Sequence, residues 1–149
     1  MNKLRALTAY LLERRLVLEE QLDSWAEQVS LSLVWKPDVN GMHLGDMRYR
    51  AVIVLERFAD HPGRLMALLG SWLERFDADR ADDDLPAPTF DIEQLDPDTA
   101  DVEITVEFIE PQYLAEDADG EIEAFGQRWA FVPFDLWVAE QGEVASHGA

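Results

Sequence analysis

Apolar residues near the N-terminus recur at the three- and four-residue intervals of a helix. They are Leu4, Leu7, Leu11 and Leu12. Charged residues such as Arg5 and Glu13 fall between them, so the pattern predicts a short amphipathic helix over residues 3–15. The next stretch, 15–20, fits a helix or a strand, and its pattern does not choose between them.

The period changes to two over residues 24–36. The apolar positions of this repeat are Trp25, Val29, Leu31, Leu33 and Trp35. Glu27 interrupts the apolar side once. Such alternation is typical of a half-buried strand, so we expect Trp25 and Trp35 to pack in the core. Residues 37–46 contain two glycines and predict a loop.

Residues 48–58 are rich in β-branched and aromatic side chains and predict a central strand. Asp60 and Pro62 then form a helix-start signal, with Asp60 as the N-cap. The helix that follows ends near Asp77 and carries a broad apolar stripe. The stripe comprises Leu65, Leu68, Leu69, Trp72, Leu73 and Phe76. We expect this to be the main helix, packed on the sheet.

The second half of the chain predicts strands and turns. Strands at 89–95 and 101–110 flank a turn and should form an antiparallel hairpin; the second strand alternates apolar with mostly acidic positions. Asp119-Gly120 predicts another hairpin with 121–125 as its return strand. The segment 131–138 alternates and predicts a last strand.

Together these elements predict one α+β domain over residues 1–149. Its architecture would be a mainly antiparallel sheet with a long helix packed on one face and a short N-terminal helix. The last residues, about 140–149, predict a flexible tail.

The charge of the chain is strongly asymmetric. The net charge is −19, yet residues 1–75 carry ten basic and ten acidic side chains, so the whole excess lies in residues 76–149. Five Trp, seven Phe and three Tyr argue for a folded chain in spite of this charge. Phosphate contacts need Lys and Arg, so the acidic half is not expected to bind nucleic acid directly.

Composition also limits the cellular setting. The chain has no Cys, which excludes a disulfide framework and a Cys-based zinc site. The N-terminus lacks the apolar run of a signal peptide, and no stretch approaches the length of a membrane span. We therefore expect a soluble protein made in the cytoplasm, without membrane partners.

Candidate chemistry is sparse. His43, His61 and His147 do not share a metal-ligand spacing. The aspartate-rich loop 77–84 lacks the central Gly and closing Glu of a calcium loop. The carboxylates of strand 101–107 alternate as an exposed face does, not as a glycosidase pair in a cleft. No nucleophile elbow, P-loop or dinucleotide fingerprint is present, so we expect no enzyme activity, no cofactor and no metal.

Two tryptophans near the C-terminus leave two interpretations open. Trp129 and Trp137 lie off the clear apolar alternation. They could pack in the core, or they could be exposed at a protein–protein contact, where aromatic residues are enriched.

The order of short motifs matches a known family. The motifs are Leu-Arg-Ala-Leu-Thr at 4–8, Arg48-Tyr49, Val-Ile-Val at 52–54, Phe58-Ala59-Asp60, Trp72-Leu73, Thr89-Phe90 and Asp119-Gly120. In this order the chain resembles the phage tail completion protein R family of contractile-tailed temperate phages and tail-like bacteriocins.

The resemblance implies a structural role in a virion tail or tail-like particle. Such proteins sit at the head-proximal end of the tail, where a ring of subunits, similar to hexameric terminators, ends tube and sheath growth. The implied partners are further copies of the chain, the tube and sheath proteins, and the head connector or collar. The family carries no catalytic residues to transfer.

A ring requires two unlike faces on each subunit. A basic set around the central strand comprises Arg48, Arg50, Arg57 and Arg64, and an acidic set on the later strand comprises Asp101, Glu103 and Glu107. We expect these sets to face each other between neighbouring subunits, with Trp129 and Trp137 as further contact candidates.

Other classes remain as alternatives. An acidic DNA mimic would occupy the basic site of a DNA-binding protein, although the arginines at 48–64 interrupt its negative face. The acidic half could also line a channel that repels DNA, or face outward. A small hydrolase is the weakest interpretation.

Overall fold

The computed structural model describes residues 1–39 and 41–133. It contains two helices and six strands in the described part of the chain. They are α1 (Asn2–Glu13), β1 (Leu22–Asp38), β2 (Gly41–Phe58), α2 (Pro62–Phe76), β3 (Thr89–Gln94), β4 (Ala100–Glu116), β5 (Ile122–Ala124) and β6 (Gln127–Val132). Short 3₁₀ turns follow α1 and α2. Most of the ambiguous stretch 15–20 is neither helix nor strand, and the first 3₁₀ turn begins near its end, at Glu19.

The strands form a six-stranded sheet in the order β1-β2-β4-β6-β5, with β3 paired to β4 beside this path. The β3–β4, β4–β6 and β5–β6 pairs are antiparallel. Of the described residues 51% are strand and 26% are helix.

The predicted fold class is wrong in its helical part. No long helix is packed on a face of the sheet in the described residues; α1 and α2 span only 12 and 15 residues. The sequence pattern placed the apolar stripe of α2 correctly, but strands of 17 and 18 residues dominate the protein because they absorb segments that predicted loops.

The predicted loop 37–46 is one such segment. β1 continues to Asp38, and β2 begins at Gly41. The glycines serve close backbone approach: a Cβ on Gly41 would lie 2.0 Å from the carbonyl oxygen of Leu114, and a Cβ on Gly45 would lie 2.2 Å from that of Ser32. Both glycines are therefore strand residues, required where neighbouring backbones nearly touch.

The chain divides into two compact units. Unit 1 comprises residues 1, 3–28 and 49–108. Its apolar residues come from α1, α2, β2 and β4, and the largest fully buried ones include Leu7, Leu11, Tyr49, Ile53, Leu65, Leu69, Trp72, Ile104 and Phe108. The Phe108 ring contacts Tyr49 and Trp72 at centroid distances of 5.8 and 6.0 Å, so β4 packs against both β2 and α2.

A buried carboxylate stabilises the end of α2. Asp77 is buried, and its two carboxylate oxygens accept hydrogen bonds from Lys3 and Arg80, each at 2.6 Å. Its salt bridges link the start of α1 to the turn after α2. This buried carboxylate, paired with two cations, stabilises the C-terminal end of α2. The helix ends at Phe76, next to the Asp77 at which the sequence predicted its end.

The start of α2 differs from the prediction. The N-cap is His61, not Asp60, and Pro62 occupies the first turn as expected. The Asp60 carboxylate instead accepts a hydrogen bond from the backbone amide of His61 at 2.6 Å and one from Arg64 at 2.6 Å.

Unit 2 comprises residues 2, 29–48 and 109–149, of which the structure describes those up to 133 except 40. Its core is built from Met42, Leu114 and Trp129, with Trp35, Leu44, Ile122 and Ala124 packed around them. The Trp35 ring meets the Phe125 ring edge-on at 5.2 Å. Asn2 is the single helical residue that belongs to the described part of this unit. The core of unit 2 is therefore formed without either helix.

The turns of unit 2 correct the predicted hairpin. β5 pairs with β6, not with β4, and Phe125 and Gly126 connect them with positive φ angles of 54° and 73°. It is β6 that returns to β4, placing Trp129 opposite Glu116. The predicted strand 131–138 and tail 140–149 lie mostly outside the described residues. The prediction of a single domain stays a prediction.

Candidate interaction surfaces

The first candidate surface is β1, which lies at the end of the strand order. Every residue from Val29 to Val34 is exposed, and Leu31 and Leu33 retain 51% and 58% of their surface. Trp25 is also 41% exposed, so the prediction that it packs in the core is wrong. Its partner in that prediction, Trp35, is half-buried in unit 2.

We define the β1 exposed segment as residues 29–34, Val-Ser-Leu-Ser-Leu-Val. Residues with positive φ bracket it on both sides: Gln28 at 54° and Trp35 at 49°. The segment contains no charged residue, although proteins usually protect an exposed edge strand with charges, prolines or bulges. The apolar alternation in the sequence predicted this strand. It did not predict that the apolar side of the strand would be exposed to solvent.

The second candidate surface is the acidic face of the β3–β4 hairpin. The register places Asp91 opposite Glu103 and Glu93 opposite Asp101. Like charges directly opposite each other destabilise a sheet. Within the described residues, no basic side chain forms a salt bridge with any of these four carboxylates, so the face remains strongly negative.

The predicted basic set and the predicted acidic set are in contact within one chain. The backbone amide of Arg57 donates to the Asp101 carboxylate at 3.0 Å, so the two sets are neighbours within one chain. Arg64 pairs with Asp60 one helical turn away. Arg48 is exposed on β2.

Arg50 is half-buried, whereas Arg48, Arg57 and Arg64 are exposed. Its Nη1 lies 3.8 Å from Glu27, and its buried Nε has no hydrogen-bond partner among the described residues. The side chain lines a depression of about 350 Å³ together with Thr89, Thr105 and Glu107. A buried guanidinium nitrogen without a hydrogen-bond partner costs free energy.

The remaining predicted contact residues have different surroundings. Glu103 is exposed, whereas Asp101 and Glu107 are half-buried. Trp129 is buried, 6% exposed, and its indole N–H donates to the backbone oxygen of Ala124 at 3.0 Å. This is the core-packing alternative that the sequence left open. Trp137 lies outside the described residues.

One polar pair was not anticipated from the sequence. His43 and Asp46, three residues apart on β2, lie 2.8 Å apart between Nε2 and Oδ1, and the His43 ring lies 5.1 Å from that of Tyr113. Residues three positions apart lie on opposite faces of a regular strand, so the alternation of the sequence did not predict this pair.

A wider depression of about 730 Å³ opens in unit 1, lined in part by Arg15, Asp60, His61 and Asp98. Its carboxylate Asp60 is already engaged: the hydrogen bond from the His61 amide, with help from Arg64, lowers the pKa of Asp60 below its ordinary value of 3.8. No nucleophile and base are paired in this depression.

The described part of the chain contains no group of three or more His, Cys, Asp or Glu residues that could hold a metal ion. Neither described helix has the length and hydropathy needed to cross a bilayer.

Comparison with known proteins decides the family. The family model of P2 phage tail completion protein R (GpR) matches residues 1–133, which include the described parts of both units. The chain belongs to this family. Tail completion is a structural task, which points away from catalysis.

A curated relative is found in Haemophilus phage HP1 (strain HP1c1), where it is described as an uncharacterized 19.2 kDa protein in the rep-hol intergenic region. It is 28% identical over 108 residues, which cover 70% of this tail completion family member and 65% of the relative. The matched part is thus less than two thirds of the relative's length. No solved structure matches the chain.

Proposed function

We propose that this chain is a tail completion protein that assembles as a ring at the head-proximal end of a contractile tail. The ring, hexameric by the family resemblance, ends tube and sheath growth and presents the surface that joins a head or forms a collar. The observation that carries the proposal is the family match over residues 1–133.

The surfaces of the protein support an assembly role. Its strand-rich fold presents two exposed regions of opposite character: the uncharged β1 exposed segment and the acidic face of the β3–β4 hairpin. An exposed apolar strand and directly opposed carboxylates do not stabilise a monomer, whereas both kinds of surface can serve in contacts between protein subunits.

The acidic face supports a particular ring contact. Arg48 and Arg50 lie on β2, where Arg48 is exposed and Arg50 is half-buried. We propose that these two arginines meet acidic side chains of a neighbouring subunit, Glu103 among them. Exposed ion pairs contribute about 0–1 kcal/mol each, so they would orient the contact rather than supply most of its affinity.

The decisive experiment is removal of the gene from the genome that encodes it, followed by electron microscopy of the lysate. We expect tubes and sheaths of variable, excessive length and no joined heads or collars, with normal particles restored by the gene in trans. Tails of normal length that still join heads would refute a completion role.

The ring contact has its own test in the same complementation assay. The double substitution Arg48→Glu and Arg50→Glu should abolish incorporation into particles while the far-ultraviolet circular dichroism stays unchanged. The matched control is Arg5→Glu with Arg15→Glu, two exposed arginines of unit 1 that give the same change in net charge. Equal incorporation of both double variants would disprove the contact.

A further inference from the structure

The β1 exposed segment is unusual in being available on both faces. All six residues are exposed, so the side chains of Val29, Leu31 and Leu33 on one face and those of Ser30 and Ser32 on the other are open to solvent. β1 pairs with β2 along one edge and ends the strand order, which leaves its second edge without a strand partner in the described residues. An open edge is a template for pairing with another strand.

The segment is complementary to itself. In an antiparallel pair, residues directly opposite each other lie on the same face. If two copies pair about Leu31, Leu31 meets Leu31, Val29 meets Leu33 and Ser30 meets Ser32. Val29, Leu31 and Leu33 then share one face, and the two serines lie on the other face together with Val34. Cross-strand apolar pairs and serine pairs stabilise a sheet.

Charge also favours a second copy. The β1 exposed segment carries no charged residue, so pairing two copies of it sets no like charges opposite each other. In the same register Glu27 of one copy lies opposite Trp35 of the other and Lys36 lies opposite Ala26, so no charged side chains of the flanks directly oppose each other. Lys36 is the single basic residue of β1.

From this geometry we propose that the β1 exposed segment is a self-association site, at which a second copy of the chain adds its own β1 antiparallel, centred on Leu31. The contact is isologous, with a two-fold axis through Leu31. It is a property of the isolated protein and does not depend on the ring, which needs contacts between unlike faces. Five residues of the segment pair directly in each chain and form a small interface, so the dimer should be concentration-dependent and nearly insensitive to salt.

The absence of Cys from the sequence allows a direct test in the full-length chain. Opposite residues of an antiparallel pair have Cα atoms about 4.5 or 5.5 Å apart, within disulfide range. Leu31→Cys should therefore form a covalent dimer under mild oxidation at least tenfold faster than the matched control Ser30→Cys. In the control, the new thiol faces Ser32 of the partner and not its own symmetry mate.

A second variant tests the contact without cross-linking. Leu31→Lys places two positive charges opposite each other at the two-fold axis and should abolish dimerisation. Leu18→Lys, which introduces the same charge at an exposed leucine outside β1, should leave dimerisation unchanged. The measurement is sedimentation velocity over a concentration series, in which the wild-type mass should rise from 17.0 kDa towards twice that value.

Four results would overturn the proposal. The first is a wild-type chain that remains monomeric while the Leu31→Cys thiol reacts freely with a maleimide. The second is a monomer in which that thiol is unreactive, because another part of the chain then covers the segment. The third is equal cross-linking of Leu31→Cys and Ser30→Cys, which indicates random collision. The fourth is a dimer that Leu31→Lys leaves intact. None of these outcomes bears on particle assembly, which the gene deletion tests separately.

Discussion

β1 and β4 carry the same kind of pattern and have opposite fates. Each is 17 residues long and alternates apolar with polar positions over part of its length. On β4, Val102, Ile104 and Val106 are buried in unit 1. On β1, Leu31 and Leu33 remain more than half exposed. The alternation tells which side chains share a face of a strand, but a second element must cover that face before burial follows.

The covering element explains the difference. In unit 1, the stripes of α1 and α2 supply apolar side chains that meet β4, as the contact of Trp72 with Phe108 illustrates. The β1 exposed segment belongs to unit 2, whose core is formed by Met42, Leu114 and Trp129; among the described residues of β1, Trp35 packs against this core but residues 29–34 do not. The same alternation therefore stabilises the fold in one place and leaves a contact surface in the other.

The difference in burial between β1 and β4 is tested most strongly by truncating one apolar residue on each strand. Ile104→Ala should lower the free energy of unfolding by about 4 kcal/mol, because it removes buried methyl groups and leaves a cavity. Leu33→Ala should change it by less than about 0.5 kcal/mol, because the side chain is mostly in water already. Urea denaturation at low protein concentration measures both. Similar losses for the two variants would mean that β1 is covered.

A second test weakens the helical cover of β4. Asp77→Ala removes the buried carboxylate that forms salt bridges with Lys3 and Arg80, two partly buried cations. We expect a loss of about 3 kcal/mol, since breaking a buried ion network strands its remaining charges. Asp79→Ala removes the same charge from an exposed neighbour and should have little effect. Equal denaturation midpoints for the two variants would contradict this account.

A third test addresses how β1 is held to β2. Gly45→Ala would place a Cβ 2.2 Å from the Ser32 carbonyl oxygen, so one of the two backbones must shift. Overpacking of this kind costs about 2 kcal/mol. Gly70→Ala in α2 meets no atom within 4 Å and should instead stabilise the protein by about 0.5–1 kcal/mol through its helix propensity. Thermal unfolding should therefore shift in opposite directions for the two glycines.

The glycines also show what the sequence could and could not predict. Both helices, the β3–β4 hairpin and the apolar faces of β2 and β4 followed from periodicity, because a regular element repeats its environment along the chain. Gly41 and Gly45 predicted a loop because a glycine that allows a turn and a glycine that allows close backbone approach look alike in sequence. Only the position of the neighbouring strand distinguishes them.

The candidate surfaces were predictable to a different degree. The acidic face of β4 was expected from alternation, but its register with Asp91 and Glu93 depends on the hairpin and was not. The exposure of β1 depends on what fails to cover it, which no local pattern records. The tail completion family was identified from the order of short motifs, because that order reflects the whole chain and not any one site.

The smallest effect concerns the turn that joins β3 to β4 and so sets the register of the acidic face. The Asp96 carboxylate accepts hydrogen bonds from the backbone amides of Asp98 at 2.8 Å and Thr99 at 2.7 Å. The amide of Asp98, with help from Thr99, lowers the pKa of Asp96 below its ordinary value of 3.8. A depressed pKa in the folded state means that the stabilisation is present above pH 3.8 and is lost as the pH falls through the lower, folded-state pKa.

Asp96→Ala should therefore lower the thermal midpoint slightly at pH 7, and its difference from wild type should disappear in strong acid. Asp98→Ala is the matched control, because it removes a carboxylate from the same turn and the described hydrogen bonds of Asp98 use its backbone amide. Circular dichroism melts from pH 7 to pH 2 measure both variants. A difference between Asp96→Ala and wild type that persists at pH 2 would show that the side chain supports the turn by packing and not through its ionised carboxylate.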